Sequence, residues 1–357
     1  MEPPPINETQ CKEAALTVKN PFYLVPSVLS TSSSVFSFVV FFFIYFQFSF
    51  RIYYHVNAKI LIALNMFSHL LFSSATLFNY AFLLQNVYFS TNDCQLLLLT
   101  SSCSILRRTF LFCTMLTALS QFSILFERVY ATIKLSTYET QGKTAGVRIA
   151  YTSIIVSLLI TLWVTSAEES NERLTNCFAF SSSNIGDRVY YMFAFQLALN
   201  VATWITYFFL YKYLARISKT YEGDVNKRYQ AMESADILKN LGPLVLTSSA
   251  ILSVYIIFSS TGYLLRPRFT LAGYKQLASI IFIMPHNSFI SSLLYYHLCK
   301  KIFVDKKDRM SQTLSPRLKR PLSYMDGVTE FWEVAYKYRD LENGSPRSTT
   351  KIGFGYC

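Results

Sequence analysis

The sequence predicts an all-α membrane protein, a bundle of seven transmembrane helices with its N-terminus outside. Three observations predict it. Hydrophobic residues make up 52% of the 357, and only 15% are charged, against about 25% in a soluble domain. Charge-free runs cover 20–50, 60–92, 109–126, 149–167, 189–211, 240–265 and 276–299. Finally, Lys and Arg are distributed very unevenly among the segments between those runs.

Each run meets or approaches the roughly 20 apolar residues a helix needs to cross the hydrocarbon core. Only a helix or a closed barrel satisfies its backbone there, and the period-two alternation of barrel strands is absent. The shortest runs, 109–126 and 149–167, hold 18 and 19 residues. Flanking Lys and Arg that snorkel to the interface make them long enough. No basic start leads into an apolar stretch at the N-terminus, so no signal peptide is expected and the first crossing directs insertion. Three parts follow: an outer segment 1–23, the bundle 24–299 and an inner tail 300–357. The tail opens with a basic stretch at 300–310, read either as an amphipathic helix along the membrane or as a basic stop after the last crossing. Beyond it the tail is polar and flexible.

With the N-terminus outside, the inner segments hold 24 Lys and Arg and the outer ones seven, which places the tail in the cytoplasm. Asn7-Glu8-Thr9 is a glycosylation sequon on the outer side, although Asn343-Gly344-Ser345 in the tail matches equally. The net charge of +12 is mostly this cytoplasmic excess. It suits anionic lipid at the inner leaflet, and nothing calls for nucleic acid.

The third crossing carries the most information. At about 100° per residue, Phe110, Thr114, Thr117 and Gln121 lie within roughly 40° of Arg128. Lipid offers their polar groups no partner, so this stripe points into the bundle. Arg107 lies near the stripe, as a snorkelling cation or a ligand contact, while Arg108 faces away. Four cysteines fall on the outer side, Cys11, Cys94, Cys103 and Cys177, where oxidising conditions favour disulfides. Cys103 stands roughly 37 Å above Arg128 on a helix, at the outer membrane edge. Cys103–Cys177 is the expected bridge, Cys94–Cys177 its rival, with Cys11 taking the cysteine left over. Cys113 is expected buried, and Cys299 either palmitoylated or a free thiol.

The segment FERVYATIK at 126–134 closes the third crossing. With a cysteine at the top of that helix, a partner in the next outer loop and Glu127-Arg128-Val129-Tyr130 at its base, the chain resembles a G-protein-coupled receptor. With TyrGlu at 138–139, CysGlnLeuLeu at 94–97, ArgTyrGln at 228–230, Glu233 and Pro243, it is similar to the nematode serpentine chemoreceptors of the Sra superfamily, class alpha/beta (Srab) first and class alpha next. It departs from rhodopsin-like receptors in the seventh crossing, which reads MPHNSFISSLLYY at 284–296. The sixth lacks Cys-Trp-x-Pro, and the second has Asn65 and His69 in place of an acid.

The resemblance implies a plasma-membrane receptor of sensory cells that couples a small-molecule ligand to a heterotrimeric G protein. Arg128 would then be held at rest by Glu127, beside Tyr130, and by Glu233 or Asp236 below the sixth crossing. Pro243 supplies the kink point. Arg107, Phe110, Thr114, Gln196 and His286 are the candidate ligand contacts, with His286 equally readable as a packed polar residue. Because the bundle is nearly free of acid, a neutral or anionic ligand fits better than a cationic amine. No constellation of carboxylates, His and Cys suggests an enzyme, a metal site or a cofactor. A seven-helix ligand-gated channel or a small-molecule transporter is the alternative.

Overall fold

The computed structural model describes residues 8–48, 55–90, 92–134, 138, 142–168, 173–174, 177, 186–220 and 225–318. Among them are seven helices long and apolar enough to cross a membrane. Glu8–Val18 forms α1, a short helix before the bundle. The crossings are α2 (Pro21–Phe48), α3 (Val56–Phe89), α4 (Thr100–Ile133), α5 (Thr144–Thr165), α6 (Gly186–Thr220), α7 (Val225–Leu265) and a broken seventh. The last consists of α8 (Leu271–Ile281) and α9 (Met284–Leu318).

The break in the seventh crossing has a local cause. Pro285 has no N–H, and its ring would collide with the carbonyl of Ile281 in a continuous helix. Phe282 leaves helical geometry, and Ile283 N–H turns back onto the Ile281 carbonyl at 2.7 Å. Pro285 then sits in the first turn of α9, where a missing N–H costs nothing. The apolar run 276–299 marks this crossing but not its interruption. α9 continues through Lys300–Met310 as one helix. Residues 319–357 of the expected tail lie outside the described residues.

α4 is the axle. It packs against α3, α5, α6 and α7 and offers a polar group to each. Asn65 of α3 donates to Ser120 at 2.8 Å, and Ser68 meets Thr117 at 2.9 Å. Ser123 meets Ser153 of α5 at 2.9 Å. Gln196 of α6 donates to Thr114 at 3.4 Å, and Gln121 donates to Ser248 of α7 at 2.7 Å. Interhelical hydrogen bonds in membranes average only about 0.6 kcal/mol, so this network specifies register more than it supplies stability. α6 and α7 are joined similarly, Asn200 to Ser253 at 3.0 Å and Trp204 to Ser249 at 2.5 Å. Small residues permit the close approaches. Ser27, Ser30, Ser34 and Ser37 form the buried face of α2. A Cβ on Gly146 of α5 would lie 2.6 Å from the Asn57 Cα of α3.

Two apolar clusters fill the bundle. One, around Phe72, Phe110, Met115, Tyr255 and Phe282, lies toward the end that carries the disulfides. The other, around Leu61, Leu116, Leu125, Leu241 and Leu298, lies toward Glu127 and Arg128.

Candidate functional site

At the base of α4, Arg128 grips Glu127 with two parallel hydrogen bonds, Nε to Oε2 and Nη2 to Oε1, each 2.6 Å. Both side chains are buried, Glu127 completely and Arg128 with 2% of its surface exposed. Taking both charges out of water costs several kcal/mol per ion, offset only by good geometry and further hydrogen bonds. Tyr138 supplies these from the α4–α5 connection. Its hydroxyl donates to Glu127 Oε1 and accepts from Arg128 Nη2 at 3.3 Å and from Asn57 Nδ2 at 3.2 Å. Its ring packs on His55 with centroids 4.4 Å apart and meets Tyr130 edge-on at 6.4 Å. Asn57 Oδ1 accepts from the Gly146 N–H at 3.0 Å. The ion pair is thus braced by the starts of α3 and α5, and the absence of a Gly146 side chain is what lets Asn57 lie there.

The other expected partners stand differently. Asp236 of α7 has an exposed side chain, whereas Arg128 is enclosed by Glu127 and Tyr138. The side chain of Glu233 lies outside the described residues. The sequence flagged Tyr138 only as part of a family motif, and did not single out Asn57 or Gly146. A tyrosine in an otherwise polar connection was the available signal.

At the opposite end, the segment after α3 anchors everything. Cys94 is disulfide-bonded to Cys11 of α1, and Cys103 to Cys177. Leu98–Leu99 (β1) pairs antiparallel with Arg173–Leu174 (β2). Lys19 reaches Asp93 at 3.0 Å. Cys11, Ala14 and Val18 bury one face of α1, Val18 within the main core. Asn7 falls outside the described residues.

Arg107, completely buried, is ion-paired through Nη1 with Glu168, itself 5% exposed, and Ser104 donates to the other Glu168 oxygen at 3.2 Å. The bundle is expected to hold almost no acid, and Glu168 is an acid the sequence reading did not single out: it closely follows α5 and the tertiary fold turns it inward, which no periodicity records. Arg108 is exposed.

The remaining candidates divide. Phe110 lies in an aromatic layer, 5.3 Å from Phe72 and 5.9 Å from Phe282 between centroids. Thr114 and Gln196 are buried and bonded to each other, just beyond Phe110 along α4. His286 is only half-buried, with Nδ1 2.6 Å from Ser33 Oγ of α2. Cys113 and Cys299 are free and buried. Among the described residues no group of His, Cys, Asp and Glu is placed to hold a metal ion.

The described residues thus form a seven-helix membrane bundle, disulfide-tied at one end and carrying a buried Glu–Arg pair at the other. The family model described as "Serpentine type 7TM GPCR receptor class ab chemoreceptor" matches residues 8–333. The chain is also 31% identical to Serpentine receptor class alpha-39 of Caenorhabditis elegans over 333 residues, 92% of this chain and 88% of that protein. The protein belongs to the Srab family of seven-transmembrane serpentine chemoreceptors, a receptor class rather than an enzyme family.

Proposed function

We propose that this protein is a plasma-membrane chemosensory receptor that binds a small uncharged or anionic cue in the disulfide-side half of its bundle and activates a heterotrimeric G protein at the Glu–Arg end. The observation that supports it best is the enclosed Glu127–Arg128 pair. A buried ion pair is weak evidence for stability, since apolar residues of similar volume serve as well or better. A switch is the better account, because opening the Glu–Arg end would release a cation able to meet a partner. Tyr138 is the brake on that release, and Pro243 is where α7 yields. Glu233 and Asp236 restrain the cytoplasmic start of α7. Ligand and G protein each shift a two-state equilibrium by binding the open state more tightly. Pairing of Arg107 with Glu168 favours the uncharged cue over the anionic one.

In this reading residues 1–23 are extracellular, Asn7 is glycosylated, and the tail 300–357 is cytoplasmic, touching anionic lipid. Two measurements test it. Tags at both ends of the chain, stained in intact cells, should expose the N-terminus alone. Arg128→Ala, at unchanged surface level, should remove receptor-dependent GTPγS loading by a co-expressed G-protein panel. An exposed C-terminus, or signalling retained without Arg128, would overturn the proposal.

A further inference from the structure

The break in the seventh crossing has a second consequence. It places the first turn of α9 beside α3 in the middle of the bundle, where His69 Nδ1 lies 3.3 Å from Ser288 Oγ. His69, Ser73, Asn287 and Ser288 are each at most 1% exposed. Ser73 lies one turn along α3 from His69, and Asn287 adjoins Ser288. Among the described residues, His69 Nε2, Ser73 Oγ and Asn287 Nδ2 have no hydrogen-bond partner. One buried orphan of this kind costs about 1–3 kcal/mol. Three such atoms, two on successive turns of α3 and one in the first turn of α9, lie on the two elements that His69 and Ser288 bring together beside the interruption. Irregular backbone at membrane depth occurs where it is buried in protein or lines a cavity.

The donors and acceptors define what fits. The His69 Nδ1–Ser288 Oγ contact forms with either ring tautomer. A neutral imidazole has one N–H and one lone pair, so Nε2 is left either to accept or to donate. Asn287 Nδ2 is a donor, while its Oδ1 accepts from Ser291 at 3.5 Å. An occupant must therefore accept from Asn287 and pair with His69 as donor or acceptor, with Ser73 free to do either. A hydroxyl group does both. Phe72, next to Ser73, and Phe282, at the break, form with Phe110 an apolar layer on the same side.

We infer that His69, Ser73 and Asn287 bind the hydroxyl of a small uncharged alcohol or phenol whose apolar body lies against the packed layer of Phe72, Phe110 and Phe282. Among the described residues none of the three groups is hydrogen-bonded or ion-paired to a charged side chain that would repay the burial of an ion, so the uncharged alcohol is preferred to the corresponding carboxylate. A water molecule could satisfy the same three atoms and is the competing occupant. The inference draws on the receptor reading only in treating the bound molecule as a cue.

The test uses the full-length receptor in lipid nanodiscs, with thermal unfolding followed against 2-phenylethanol and the straight-chain alcohols from propanol to octanol. Phenylacetate is the charged control. At least one alcohol should raise the unfolding temperature saturably, and phenylacetate should not. Asn287→Leu and His69→Phe should each weaken that alcohol's apparent affinity about tenfold, as loss of one good hydrogen bond does. Ser73→Ala, which removes one oxygen and no volume of consequence, serves if either variant fails to fold. No saturable stabilisation by any alcohol would mean that the groups hold water only. Equal stabilisation of wild type and variants would mean partition into lipid. Either result overturns the inference. No G protein is present, so such a failure leaves the receptor reading standing, and failure of the signalling experiment leaves this site standing.

Discussion

The Tyr138 hydroxyl reaches eleven positions back along the chain to donate to Glu127, and the same oxygen accepts from Arg128. A residue of the connection between two crossings thereby closes the ion pair at the base of the third. It ties the geometry of that connection to the ion pair at the base of α4.

Tyr138→Phe keeps the ring on His55 and removes only the hydroxyl. Hydrogen bonds to charged groups contribute about 1.5–3 kcal/mol, so the equilibrium should move toward the open state roughly tenfold or more. Basal GTPγS loading should rise at unchanged surface expression. Basal signalling at the wild-type level would show that Tyr138 only packs.

Arg107 and Glu168 form a second buried pair at the other end. Arg107→Met leaves Glu168 buried without its main partner and should cost about 3–5 kcal/mol, whereas Arg107→Met with Glu168→Leu should recover most of that loss. Thermal unfolding of the three proteins checks it. A double variant no better than the single would mean that packing of the arginine stem, not charge, carries the stability.

The two disulfides close loops of 83 and 74 residues, Cys11–Cys94 and Cys103–Cys177. Each should contribute about 4.5 kcal/mol by restricting the unfolded chain. Cys11→Ser and Cys103→Ser should each lower the unfolding temperature, and peptide mapping without reductant should recover these two pairings. Recovery of Cys94 joined to Cys177 would refute the arrangement.

Gly146→Ala tests the brace. An added Cβ would stand 2.6 Å from backbone Cα and 2.9 Å from the Oδ1 of Asn57. Neither yields without moving α5 from α3. Overpacking of this kind costs about 1–3 kcal/mol, and loss of the Asn57 contact to Tyr138 should raise basal signalling as well. A variant as stable and as silent as wild type would show that α3 and α5 part freely.

The chain's membrane character and its seven crossings were legible in the sequence, because both follow from apolar length, which is local. The stripe Thr114, Thr117 and Gln121 was legible from the helical period, and all three are buried against neighbouring helices. The interruption at Phe282 was not read from the apolar run, although Pro285 carried the signal.

What only the tertiary structure decided is which polar groups meet. Tyr138, Asn57 and Gly146 lie on three elements, and Glu168 follows a loop boundary. The meeting of His69 with Ser288 follows from where α9 starts. Apolar burial in lipid depends on composition along one helix and can be summed residue by residue. A hydrogen bond or an ion pair depends on distances of about 3 Å between chain segments far apart in sequence, and packing alone sets those.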